Sequence, residues 1–102
     1  MEIDYWTRCG MDGGNCSTYV DLQTKEFAIL YAYARGYKDG KGEDVDGYIL
    51  SKYLEEHMPK TYQRILKEVG RIVKQEMSEW GIKDYNYGFD INDKWAMSLT
   101  RE

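Results

Sequence analysis

Residues 60–80 constrain this chain more than any other stretch. Tyr62, Ile65, Leu66, Val69, Ile72, Val73, Met77 and Trp80 recur at spacings of three and four. That period is an amphipathic helix of more than five turns, which no sheet can accommodate. Gly70 interrupts it at a cost of about 1 kcal/mol relative to alanine, or marks the close approach of another element. Pro59 suits the first turn, and Gly81 ends the helix. The opposite face is cationic: Lys60, Arg64, Lys67, Arg71 and Lys74 follow spacings of 4, 3, 4 and 3. At 100° per residue they fall within roughly 80° of one another.

The rest of the fold must pack on that rod. Glu2 to Arg8 alternates, with Ile3, Tyr5 and Thr7 on one face and Asp4, Trp6 and Arg8 on the other. Ser17 to Leu22 alternates too, and the Gly-rich run Cys9 to Cys16 joins them, which predicts a β-hairpin with a long tip. Thr24 reads as the cap of a helix starting at Lys25. The following Phe27 to Ala34 is apolar nearly all round, as in a helix buried on more than one side, with Gly36 or Gly40 as its stop. Tyr37 to Gly47 reads as an acidic loop and Tyr48 to His57 as a second helix. In the tail, Tyr85, Tyr87, Phe89 and Ile91 share one face. Trp95, Met97 and Leu99 share another, and Asn92-Asp93-Lys94 between them predicts a second hairpin. The expected fold is a single α+β domain over residues 1–102, in the order ββαααββ. Two hairpins, N- and C-terminal, form a small antiparallel sheet, with three helices on one face.

Ten tyrosines against two phenylalanines and three tryptophans suggest an aromatic surface that is partly wet, because each buried tyrosine hydroxyl needs a partner. Trp6, Tyr33, Tyr37 and Tyr48 are the candidate partner-binding residues: Trp6 lies opposite the Ile3–Tyr5 face, and the three tyrosines lie off the most regular apolar stripes. Tyr and Trp supply contact area at low entropic cost. The plainer reading of each is core filling or strand propensity. The net charge of −4 is uneven, with eleven acids and six bases over residues 1–57 but five bases and three acids over 58–80. The Lys60–Lys74 stripe could follow nucleic-acid phosphates or an acidic protein surface, and it also fits an ordinary solvated helix face. The acidic half could imitate a nucleic-acid backbone toward a basic protein.

Other chemistry finds little footing. Cys9 and Cys16 could pair across the hairpin neck in an oxidising compartment. With His57 they make three Cys/His side chains, too few for a zinc site within one chain. Neither register of the 39–47 acids satisfies a calcium loop. No phosphate-binding, dinucleotide-binding, hydrolase-elbow or zinc-protease motif is present. The N-terminal Met1-Glu2-Ile3-Asp4 lacks the layout of a signal peptide, and no apolar run approaches the roughly 20 residues that span a bilayer. The sequence therefore predicts a soluble, cytoplasmic, non-enzymatic module without cofactor, metal or membrane contact. It binds a protein partner or a second copy of itself, with nucleic acid as the alternative.

Overall fold

Ile3 and Tyr5 point inward and are buried, while Asp4 and Trp6 between them are half-exposed, the alternation of a strand covered on one side. In the computed structural model, which describes residues 1–10 and 12–101, this strand is β1 (Glu2–Cys9). It is the middle of a three-stranded antiparallel sheet, with β2 (Asp12–Tyr19) on one side and β3 (Asn86–Ile91) on the other. Four helices complete an α+β fold: α1 (Thr24–Lys41), α2 (Gly47–His57), α3 (Pro59–Glu79) and α4 (Asp93–Ser98). Helices α2 and α3 pack against β3, and α4 packs against α2. Among the described residues, no helix is long and apolar enough to cross a membrane.

The predicted rod exists as one 21-residue helix. Ile65, Val69, Val73 and Met77 are buried along its inner side, each contributing roughly 1.5–3 kcal/mol. They meet Ile3, Tyr5, Phe89 and Ile91 in one core with Leu30, Leu50 and Leu54. Trp80 departs from the stripe: it is the helix C-cap and 78% exposed.

The first hairpin is tighter than its glycines suggest. Cys9 pairs with Asp12, so most of the predicted tip is strand. Gly10, at φ 65°, opens the connection, a conformation glycine adopts without strain, and Met11 of the predicted tip lies outside the described residues. Cys16 therefore stands opposite Tyr5, four positions along from Cys9, roughly 13 Å at strand rise. That is beyond disulfide reach, and both cysteines are free. Among the described residues β2 pairs only with β1, and residues 14–17 are exposed.

Helix α1 begins one residue early, at Thr24. Gln23 is its cap, its amide donating to Glu26 Oε1 at 2.8 Å. The helix runs through Gly36 and Gly40 and stops at Gly42, at φ 76°, whose amide returns to Lys38. The predicted loop thus starts five residues late. Its acids have structural partners: Asp44 pairs with Lys38 at 3.2 Å, and Asp46 caps α2 by accepting from Ile49 N. Burial is lower than the apolar run implies, since Phe27, Ala28, Ile29, Tyr31 and Ala32 are exposed.

The second hairpin is replaced by a strand and a helix. β3 pairs with β1, Ile3 opposite Ile91 and Tyr5 opposite Phe89, while Trp95, Met97 and Leu99 belong to α4 and its cap. Asn92 accepts from Trp95 N at 3.0 Å and Asp93 occupies the first turn. An Asn cap followed by an acid favours helix over a three-residue loop. Ala96, Leu99 and Thr100 are the buried positions, a helical spacing hidden beneath the apparent alternation. At Gly47 the start of α2 meets the sheet so closely that a Cβ would lie 2.0 Å from the Ile91 carbonyl oxygen. The Gly47 amide donates to Asp93 Oδ1 at 2.7 Å, and Ser51 Oγ accepts from Ile91 N.

Candidate binding groove

The cationic stripe divides in the fold. Arg64 is committed inward: it pairs with the buried Glu26 at 2.8 Å and donates to the Asp21 carbonyl at 3.1 Å. Glu26 also accepts from Thr61 Oγ1 at 2.6 Å. Burial pushes the Glu26 carboxyl up, but the hydrogen bonds from Arg64, Thr61 and the Gln23 amide outweigh it and hold the group below its usual range. Lys60 lies at the first turn of α3 and is exposed. Lys67, Arg71 and Lys74 remain outward. Arg71 has an exposed 3.7 Å contact with Glu68. Lys67 and Lys74 form no ion pair among the described residues.

Lys67, Arg71 and Lys74, together with Arg64 and Glu68, border a groove of about 650 Å³ whose other wall is Tyr85 and Tyr87. The two rings lie 6.4 Å apart at 42°. Gly70 forms the floor between them and α3. A Cβ there would lie 2.6 Å from the Tyr87 hydroxyl, so the glycine admits the ring. Tyr85 just before β3 and Tyr87 within it thus supply the aromatic half of a surface whose basic half comes from α3. Such a groove offers apolar ring faces beside a wall that stays net positive with Glu68 counted, the complement of an anionic ligand with flat or apolar groups.

The tyrosines and tryptophan singled out from sequence fall in two other places. Trp6 lies over Gly88 on the outer sheet face, with the Arg8 guanidinium 5.5 Å from its ring centroid. Trp6 and the 68% exposed Tyr48 border a cleft of about 480 Å³ with Asp4, Asp90 and Asp93. Asp4 is held by Ser17 and Asn92, and Asp93 by the Gly47 amide. Asp90 titrates above its ordinary value because it is partly buried and faces the Asp4 and Asp93 charges. Tyr33 stacks on Tyr53 at 3.9 Å, Tyr53 stacks on His57 at 4.7 Å, and Tyr37 lies 6.4 Å beyond Tyr33. His57 is thus an exposed end of an aromatic stack on α1 and α2. Burial, with the Glu43 and Asp46 carboxylates nearby, raises the Tyr37 hydroxyl.

The structure therefore links Trp6 to Tyr48, Tyr48 to Tyr33 and Tyr33 to Tyr37, and none of the four lines the groove at the basic stripe. Tyr85 and Tyr87 were the residues missed. Their alternation with Phe89 and Ile91 assigned them to the packed face of a hairpin, whereas Gly70 already signalled that something approaches α3. Comparisons with protein-family models, with curated proteins and with solved structures find no match to this chain.

Proposed function

We propose that this domain is a non-enzymatic protein-interaction module that takes an acidic, extended segment of a partner protein in the α3–β3 groove. One observation carries the reading: Tyr85 and Tyr87 stand beside Lys67, Arg71 and Lys74 over the Gly70 floor. Aspartate or glutamate side chains would meet the cations while the intervening residues lie on the tyrosine rings. Trp6 and Tyr48, at the acidic cleft, offer a second contact for a basic part of the same partner, and Tyr33 and Tyr37 a third, aromatic one.

Single-stranded nucleic acid is the second reading, favoured by the paired tyrosine rings on which bases could stack. Three outward cations make it the weaker one. They predict a salt slope of only about −2, small for a protein that holds nucleic acid electrostatically.

Fluorescence anisotropy with a labelled Asp/Glu-rich peptide and with a labelled oligo-dT separates the two. The peptide should bind, and Lys67→Glu/Arg71→Glu/Lys74→Glu should abolish binding at unchanged circular dichroism. Arg64 is left intact in this variant because reversing it would break the Glu26 network. Oligo-dT binding with no peptide binding would establish the second reading; a triple variant that binds both like the wild type would remove the groove from consideration.

A further inference from the structure

Helix α1 presents an exposed face opposite its buried Glu26, Leu30 and Ala34. Ile29 and Tyr31 are 45% and 42% exposed, the latter beneath the Arg35 guanidinium at 5.9 Å, whereas Phe27 turns toward Trp95. Between these flanks, at 100° per residue, Lys25, Ala28, Ala32, Gly36 and Asp39 fall within roughly 80° of one another. All five are exposed, and nothing approaches Gly36 within 4 Å. Exposed apolar side chains at this density on a helix mark a contact surface rather than an ordinary solvated face.

The line is symmetric about Ala32. Lys25 and Asp39 stand equally far from it toward opposite ends, and Ala28 and Gly36 equally far within them. An antiparallel second copy centred on Ala32 would set Lys25 of one chain against Asp39 of the other, twice. It would set Ala28 against Gly36, and Ala32 on the axis against itself. Among the described residues neither Lys25 nor Asp39 forms an ion pair, so both are available. The small residues let the helices approach closely, and Ile29 and Tyr31 flank them on the two sides. A parallel pairing would instead set Lys25 against Lys25 and Asp39 against Asp39.

We infer that the chain forms a two-fold homodimer through antiparallel packing of α1, with Ala32 on the axis and reciprocal Lys25–Asp39 pairs at its ends. The face is self-complementary, as an isologous interface requires. An 18-residue helix pair runs along about 27 Å, so one helix from each copy makes a small interface. Association is therefore concentration-dependent, with monomer and dimer in exchange. The groove on α3 plays no part in it.

Sedimentation equilibrium over a wide concentration range tests the inference. The mass should rise toward twice 12.0 kDa in the wild type. Ala32→Arg should stay monomeric with an unchanged circular dichroism spectrum, since the position is exposed and cannot unfold the domain by overpacking. Lys25→Asp and Asp39→Lys should each weaken the dimer, and the double exchange should restore it. In a Cys9→Ser/Cys16→Ser background, Ala32→Cys should oxidise to a disulfide dimer, whereas Thr24→Cys should not. A monomer at every concentration, a dimer indifferent to Ala32→Arg, or a double exchange as weak as the singles would each overturn the inference.

Discussion

Glu26→Gln isolates a buried charge that joins α1 to α3. The substitution keeps the size and removes the charge. Glu26 is 8% exposed and accepts from Thr61, Arg64 and the Gln23 amide. Hydrogen bonds to a charged group are worth about 1.5–3 kcal/mol each, and breaking a fully buried pair costs about 3–5 kcal/mol. Here the Arg64 side chain is 41% exposed, so water takes over part of the guanidinium and the glutamine keeps part of the bonding. The expected loss is about 2 kcal/mol, which for a domain of this size lowers Tm by about 10 °C. The pH dependence carries the sign of a depressed carboxylate. Its contribution is present above the unfolded value of 4.5 and is lost as pH falls through the lower folded value. Wild type and variant should therefore melt apart by a constant amount from about pH 7 to about pH 5, and the gap should narrow as pH falls below 4.5. Thermal melts followed by circular dichroism across that range are the assay. A gap under about 2 °C at neutral pH, or one that does not narrow in acid, would refute the assignment of Glu26 as an ionised anchor.

Three further outcomes follow from close approaches and charge. Gly47→Ala should destabilise by about 3 kcal/mol or more in urea unfolding, because its Cβ meets the Ile91 carbonyl oxygen at 2.0 Å and neither backbone can yield. Gly70→Ala should split stability from binding. The helix gains up to about 1 kcal/mol of propensity while the 36% exposed Tyr87 swings away, so unfolding shifts little or upward and peptide affinity falls. Asp90→Asn should raise Tm at neutral pH by relieving repulsion from Asp4 and Asp93. Since the folded pKa of Asp90 is raised, the wild type recovers as pH falls through that value, and the advantage of the variant should shrink in acid.

The long helix and the central strand were legible because each carries its period over many residues. Ile65, Val69, Val73 and Met77 leave no alternative to a helix, and Ile3 and Tyr5 none to a half-covered strand. The tail was misread where the evidence was short. Trp95, Met97 and Leu99 alternate over five residues, a length at which strand and helix periods overlap, and the Asn92 cap decides between them. The glycines of the first hairpin implied a long loop, yet residues such as Gly14 sit in the ladder opposite Thr7. The groove was half legible. Its cations lie on one helix and could be counted, whereas Tyr85 and Tyr87 reach them only through the pairing of β3 with β1. Arg64 illustrates the limit of a helical projection: an outward angle does not reveal that Glu26, thirty-eight residues away, draws the side chain in.

The open flank of β2 has a consequence for how its backbone meets solvent. Val20 and Met1 exchange their amine and carbonyl bonds, so every second residue back along the strand, Thr18, Cys16 and Gly14, faces β1. Ser17, Asn15 and Tyr19 turn their amides away from the ladder with β1, toward solvent. Deuterium uptake along this strand should thus read like a comb, slow and fast teeth in alternation, a fingerprint of the register that needs no side chain to be seen.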